Sequence, residues 1–383
     1  FLAAASGASA VNLDSHAMRR DLIRHLAADR PEPRLLVEGV MGLFDGTDGG
    51  SGSTVSVAEA LQAPVMLVLD ARHQGQTAAA LAAGIATQLP DGVSLAGVVL
   101  NRIASPRHEE LISAALAKRG IALFGSLPAN GDIEIPSRHL GLVQAADLAA
   151  SGALEPMIDK AAELVAAHLD LGAIEAAFAG IAAPETGPAL LPPPGHRIAI
   201  ARDAAFGFSY EHLMAGWRDA GAEIMKFSPL ADEAPPPDAD FIFLPGGYPE
   251  LHLPELSRAG NFLGGLRAAA ERGTRIYGEC GGYMVLGETI IDAEGTSYPM
   301  AGLLALETSF AKRKLHLGYR RMTPLAQAWP GLEPVTGHEF HYTSATRAEG
   351  DPLFAVSDAA GRDLGTMGLV RGSVAGSYAH IIA

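Results

Sequence analysis

Thr274-Arg275-Ile276-Tyr277-Gly278-Glu279-Cys280-Gly281-Gly282-Tyr283-Met284 holds the one cysteine of the chain, where an apolar strand runs into a helix. A residue at such a junction stands on a sharp turn. Small neighbours allow close approach, and a helix N-terminus favours a thiolate. The stretch reads as a nucleophile on an α/β sheet, but a lone cysteine is also commonly a buried structural residue. Position alone does not decide between the two.

Two distant segments do. Phe241-Ile242-Phe243-Leu244-Pro245-Gly246-Gly247-Tyr248-Pro249-Glu250 is a second buried strand, ending in a Gly-Gly turn whose N–H groups can face an oxyanion. Gly376-Ser377-Tyr378-Ala379-His380 brings a histidine late in the chain as a base for the thiol. In order and spacing these segments resemble a class I glutamine amidotransferase domain. The resemblance implies that Cys280 attacks the glutamine side-chain amide, that His380 raises its nucleophilicity, and that ammonia leaves. The amides near Gly247 and Gly281 would then stabilise the tetrahedral oxyanion. Many members carry a Glu two residues after the His, and here that position is Ile382. The resemblance is therefore to the branch with a Cys-His pair, and it names no third member.

Further strings narrow the family. Ile198 to Phe206, Leu244 to His252, Gly278 to Met284, Leu315-His316-Leu317-Gly318-Tyr319-Arg320 and His338-Glu339-Phe340-His341-Tyr342 follow one another as in the cobyrinic acid a,c-diamide synthases. The likeness runs along essentially the whole chain. It implies an ATP- and glutamine-dependent ligase that amidates the a and c acetate side chains of a corrin, hydrogenobyrinic acid or its cobalt form, in vitamin B12 synthesis.

Composition agrees with a large enzyme. At 383 residues the chain exceeds one ordinary core, so two domains are expected. Hydrophobic residues make up 48% and charged residues 19%, which leaves ample material for burial. The alanine-rich stretch Thr77 to Ile85 falls short of a membrane span. With no signal-peptide pattern and one cysteine, the expected place is the cytoplasm. A formal net charge of −15 argues against nucleic acid as a partner and is simplest as solubility. A homodimer stays open.

The N-terminal half alternates short apolar strands with helices. Arg34 to Glu38, Val65 to Asp70, Leu95 to Asn101 and Ile121 to Gly125 are near-continuous hydrophobic runs, as in parallel strands buried on both faces. Helices are expected at Ser53 to Leu61 and Arg107 to Arg119. This predicts a doubly wound sheet, with ligands beyond the carboxyl ends of its strands. Polar residues gather at those ends: Glu38, Asp45, Asp70, Asn101 and Arg102. In Glu38-Gly39-Val40-Met41-Gly42-Leu43-Phe44-Asp45-Gly46 two carboxylates flank a glycine-rich loop, which suits Mg²⁺ beside phosphates; the alternative is a strand-end cap and a turn. The string looks like the Mg²⁺ and substrate-activating loop of the dethiobiotin synthetase-like ATP domain of this family. Asn101-Arg102 looks like that fold's contact to the nucleotide base. Ile135 to Leu142 also recurs in the family, without an obvious chemistry.

No G-x-x-x-x-G-K-[ST] phosphate loop occurs in the chain, which starts at Phe1. The expectation is that one βαβ unit, on the order of 30 residues or more, lies upstream. Helical stretches from Met157 to His168 and Ile174 to Phe178 close the first domain. The predicted organisation is an ATP-dependent amidoligase domain over 1–180, a Pro/Gly-rich linker over 181–195 and an amidotransferase domain over 196–383, its end richer in strands. Three other readings stay in view: a cobyric acid synthase amidating other side chains of the ring, a cysteine peptidase of the same C-terminal fold, and a ParA-like ATPase suggested by the first sheet alone.

Overall fold

The computed structural model describes all residues except 31–33, 134, 136, 139–140, 182–187 and 189. The chain divides into two compact units: Phe1–Ser15, Arg19–Gly46 and Gly50–Pro188 form one, and His16–Met18, Thr47–Gly49 and Ala189–Ala383 the other.

In the first unit α1 (Thr54–Leu61) precedes β1 (Val65–Asp70), α2 (Thr77–Thr87), β2 (Leu95–Ile103), α3 (Pro106–Ala117), β3 (Leu123–Pro128) and α4 (Leu154–His168). The helix starts follow local chemistry. Ser53 accepts from Ser56 N at the head of α1, and Ser105 accepts from His108 N ahead of a proline in the first turn of α3. The three strands are parallel in the order β1-β2-β3. Their core joins Leu69, Val98 and Leu100 to Ala78, Ala79 and Ala82 of α2 and to Ile112 and Leu116 of α3. The alanines let α2 lie close on the sheet.

Two expectations fail here. The run Arg34 to Glu38 is not a strand, and its Leu36 is 65% exposed. A strand needs a neighbour to satisfy its backbone N–H and C=O groups, and β1 pairs with β2 alone, so no described strand receives this run. For the same reason β1 is an edge strand rather than one buried on both faces, and Val68 is 55% exposed. The string Ile135 to Leu142 lies partly outside the described residues; Ser137–Arg138 and Gly141–Leu142 pair antiparallel within it.

The second unit holds β4 (Arg197–Ala201), α5 (Glu211–Asp219), β5 (Glu223–Phe227), β6 (Phe241–Leu244), α6 (Gly260–Glu271), β7 (Arg275–Glu279) and α7 (Gly281–Leu286). The later strands are β8 (His316–Pro324), β9 (Val335–His341), β10 (Asp351–Ser357), β11 (Asp363–Arg371), β12 (Val374–Ser377) and β13 (Ala379–Ile381). They form one ten-stranded sheet in the order β13-β9-β8-β10-β11-β12-β7-β6-β4-β5. From β12 to β5 the pairing is parallel, and from β12 outward to β13 it is antiparallel.

Period-two alternation divides the core. Ala199, Ala201, Ile242, Leu244 and Ile276 face α6 through Phe262, Leu263 and Leu266. Ile198, Ile200, Phe241, Phe243 and Tyr277 face α5 through Met214 and Trp217. Both faces are covered, so these strands carry apolar residues at successive positions, as expected of a doubly wound sheet. Leu244 pairs with Gly278 and Ser377 with Glu279. The carboxyl ends of β6, β7 and β12 therefore open at one level, where such sheets place their ligands.

Candidate active site

Cys280 occupies that level. Its backbone has φ 48° and ψ −107°, a conformation L-residues avoid at a cost of about 1–3 kcal/mol. The surroundings over-determine it. Cys280 N donates to Ser377 O at 2.9 Å, and a Cβ on Gly282 would stand 1.9 Å from Leu244 O. Only glycine at 282 lets α7 press this closely on β6, so the turn at Cys280 has no room to relax.

Gly246 separates the thiol from the imidazole. A Cβ there would lie 2.2 Å from His380 Cε1, 3.1 Å from His380 Nε2 and 3.2 Å from Cys280 Cβ, so the imidazole and the cysteine face one another across this glycine. Next to it, a Cβ on Gly281 would fall 3.2 Å from Gly247 N, and one on Gly247 would fall 2.0 Å from Ala205 O. The backbones of Gly247 and Gly281 thus approach one another, with the Pro249 ring packed alongside, its Cδ 2.7 Å from where the Gly281 Cβ would fall.

The expected thiolate is not what the resting site favours. Burial first, and then the Glu250 carboxylate, push the Cys280 thiol up to about 12, against a smaller opposing effect of the Gly281 N–H. The helix is only six residues long, and desolvation outweighs its N-terminus. The thiol is a proton donor at rest and needs a base.

His380 sits on β13, opposite His338 of β9, and the two rings stack at 5.0 Å. Burial, then His338 and His341, push the imidazole down to about 3, so it is neutral and able to accept a proton. Its Nδ1 lies 3.8 Å from Glu279 Oε2. Burial pushes the Glu279 carboxyl up to about 8. Each group alone resists its charge in these dry surroundings, and opposite charges at this separation offset that resistance mutually.

Sequence reading missed Glu279, although it stands within the stretch that carries the nucleophile. The signal was a carboxylate in the last position of an otherwise apolar strand. It also left the chemistry of His338-Glu339-Phe340-His341 unassigned. Glu339 Oε2 receives Arg320 Nη2 at 2.6 Å, and Glu339 Oε1 lies 2.7 Å from His341 Nε2. With His316 these two form the one cluster of three metal-capable side chains among the described residues. They line a cavity of about 570 Å³ together with Tyr283, Thr343 and Tyr378.

The candidates of the first unit are placed differently. Glu38 is exposed, and Asp45 Oδ2 accepts from Gly42 N at 3.0 Å, which closes the turn of the loop. Both are hard oxygen donors and both are open to solvent, so the donor set suits Mg²⁺. Asn101 pairs in register with Asp70, and its Oδ1 accepts from Arg102 N at 2.9 Å. Arg102 has φ 60° and reaches Asp70 Oδ2 with Nη1 at 2.9 Å. The ion pair to Asp70 and the Asn101 side chain hold Arg102 in this left-handed backbone.

A cysteine held in unfavourable backbone at a strand-to-helix turn, faced by a histidine and framed by close-packed glycines, defines a doubly wound domain of the glutamine amidotransferase class. The family model described as the CobB/CobQ-like glutamine amidotransferase domain matches residues 197–383, and that of an AAA domain matches residues 2–137. The hydrogenobyrinate a,c-diamide synthase of Brucella anthropi is 50% identical over 99% of this chain and 87% of its own length. That of Rhizobium meliloti is 49% identical over 100% of this chain and 88% of its own length. The chain belongs to the hydrogenobyrinate a,c-diamide synthase family. Among solved structures, PurLQS from Thermotoga maritima aligns with 48% of this chain and 86% of that one, at 20% identity and a TM-score of 0.33. Among the described residues no helix is long and apolar enough to cross a membrane.

Proposed function

We propose that the chain is an ATP-dependent, glutamine-hydrolysing ligase that amidates the a and c acetate groups of hydrogenobyrinic acid. The observation that carries the reading is Cys280 at φ 48°, across Gly246 from His380. Cys280 Sγ attacks the side-chain amide carbon of glutamine while its proton passes to His380. The tetrahedral oxyanion is received by the Gly247 and Gly281 amides. His380 then returns the proton to the leaving nitrogen, ammonia departs, and water cleaves the glutamyl thioester to glutamate.

In the first unit the corrin carboxylate takes the γ-phosphoryl group of ATP, giving an acyl phosphate and ADP. Ammonia displaces phosphate, and the C–N bond of the amide forms. Mg²⁺ would be held by Glu38 and Asp45, and supplies charge neutralisation to the phosphates when bound. Asn101 and Arg102 stand at the end of β2 to receive the nucleotide base. A cytoplasmic location and a small-molecule corrin partner follow from the same reading.

The test is amide formation on the corrin, followed by mass, with glutamine or ammonia as nitrogen donor. Cys280→Ala abolishes glutamine-dependent amidation and leaves the ammonia-dependent reaction within about twofold, because the thiol serves the first half-reaction alone. Equal loss with both donors overturns the division of labour. Running hydrogenobyrinic beside cobyrinic acid reads the preference for a ring without or with cobalt.

A further inference from the structure

The position where many class I amidotransferases carry a carboxylate, two residues after the histidine, is apolar here. Ile382 is 2% exposed, and its carbonyl accepts from His212 Nε2 at 2.8 Å. Glu279 approaches His380 from the end of β7, the strand that runs into Cys280. Oε1 accepts from Ile381 N at 3.0 Å, and Oε2 lies 3.8 Å from His380 Nδ1. One carboxylate thus addresses two successive residues of β13, the ring of 380 and the backbone of 381. The Glu279 and His380 side chains are 4% and 5% exposed.

We propose that Glu279 is the positioning residue of the Cys280–His380 pair: it holds the proton of the neutral imidazole on Nδ1, leaves the Nε2 lone pair for the thiol, and offsets the imidazolium formed when that proton transfers. This rests on the reading of Cys280 and His380 as the glutaminase pair.

The argument is one of donors and acceptors. A neutral imidazole has one N–H and one lone pair, and the second group it meets decides which nitrogen carries which. Burial pushes the Glu279 carboxyl up to about 8, so above that pH it is ionised and only accepts, and beside Nδ1 it then selects the Nδ1–H form. The lone pair then falls on Nε2, the nitrogen that flanks Gly246 and the nucleophile. At rest the 3.8 Å gap is wider than a hydrogen bond, and it tightens once the ring is charged. His338 and His341 disfavour charge on the ring, Tyr277 stands beside Glu279, and Glu250 and Glu339 act on Cys280. Among the described residues Glu279 carries the one carboxylate within 4.0 Å of a His380 ring nitrogen. A carboxylate this deeply buried is costly unless it is paired, and its partners are the Ile381 N–H and His380.

The test uses Glu279→Gln in the full chain. The amide oxygen still accepts the Ile381 N–H, so the backbone anchor survives. Its NH₂ now faces Nδ1, which must accept, and the ring proton moves to Nε2. The expected result is a loss of about 10²–10⁴-fold in kcat for glutamine hydrolysis with KM within about threefold. At pH 9, above the raised Glu279 carboxyl, ¹⁵N spectra of histidine-labelled protein, with His380 identified by loss of its signals in His380→Gln, show the proton on Nδ1 in the parent and on Nε2 in Glu279→Gln. Glu279→Asp keeps the charge at longer reach and falls between the two, about tenfold down in kcat. Should the glutamine variant not fold, this variant decides alone: unchanged kcat overturns the proposal.

A Glu279→Gln kcat within twofold of the parent also overturns it. So does a loss of kcat with the proton still on Nδ1, which would reduce Glu279 to an anchor for β13. If the parent hydrolyses no glutamine and yet the proton moves between nitrogens, the positioning stands and the amidotransferase reading fails.

Discussion

Cys280 combines two conditions that oppose each other. Its turn sets the sulfur beside Gly246, where His380 also approaches, but burial and neighbouring carboxylates hold that sulfur protonated, at about 12. A shifted thiol reacts slowly until the shift is overcome. As this is the only cysteine, alkylation of the unliganded chain reads it without interference. We expect iodoacetamide labelling at pH 8 to be at least about 100-fold slower than for free cysteine, whose pKa is about 8.5. The sign follows from the direction of the shift: with the pKa raised, the thiolate fraction stays small across neutral pH and grows about tenfold per unit toward 11. A rate that saturates below pH 9 would mean that the helix N-terminus wins over burial. The residues around this site were unequally legible. Cys280, Gly247, Gly281 and His380 stood out as types with a known chemistry at turn positions, whereas Glu279 looked like the polar end of a strand. Its significance depends on a partner 101 positions later in the chain, and no local pattern encodes that.

At the scale of the element, the short strand β13 matters more than its length suggests. It brings His380 to the site by pairing antiparallel with β9, where Gly337 opposes Ile381 and His338 opposes His380. A Cβ on Gly337 would lie 2.0 Å from His380 O and 2.8 Å from Met322 Cε, so the ladder at this point admits glycine alone. Gly337→Ala is expected to push β13 outward, costing about 1–3 kcal/mol of stability by overpacking. Because the displaced strand carries the base, glutamine hydrolysis should also fall by about 10–100-fold, the usual consequence of a misplaced catalytic group. Melting and initial rates measured on one preparation check both, and unchanged values in either would show that the strand absorbs the methyl group. Helix and strand identity was largely readable from local pattern: α1, α3, β1 and β2 fall close to where the apolar runs and the stretches between them put them. The run Arg34 to Glu38 misled because apolar content predicts a wish to be buried, while a strand also requires a neighbour.

In the molecule as a whole, the two half-reactions belong, on the proposed reading, to separate units of the chain, so damage to each should be separable. Glu38→Gln and Asp45→Asn are expected to lower corrin amidation at least about tenfold with glutamine and with ammonia, since carboxylate activation precedes use of either donor. Glutamine hydrolysis measured by itself should stay within about twofold. Normal ammonia-dependent synthesis in either variant would return that residue to a cap or a turn. The amino-acid sequence by itself determined the α/β class, the cysteine turn with its glycine frame and the family, because strand hydrophobicity, turn glycines and a lone cysteine are properties of short contiguous stretches. Only the tertiary structure decided which groups act on one another. The protonated state of Cys280, the lowered basicity of His380 and the approach of Glu279 to the ring all arise from burial and from contacts between residues far apart in the chain. Desolvation and Coulomb energy depend on distance in space, and a sequence records only distance along the chain.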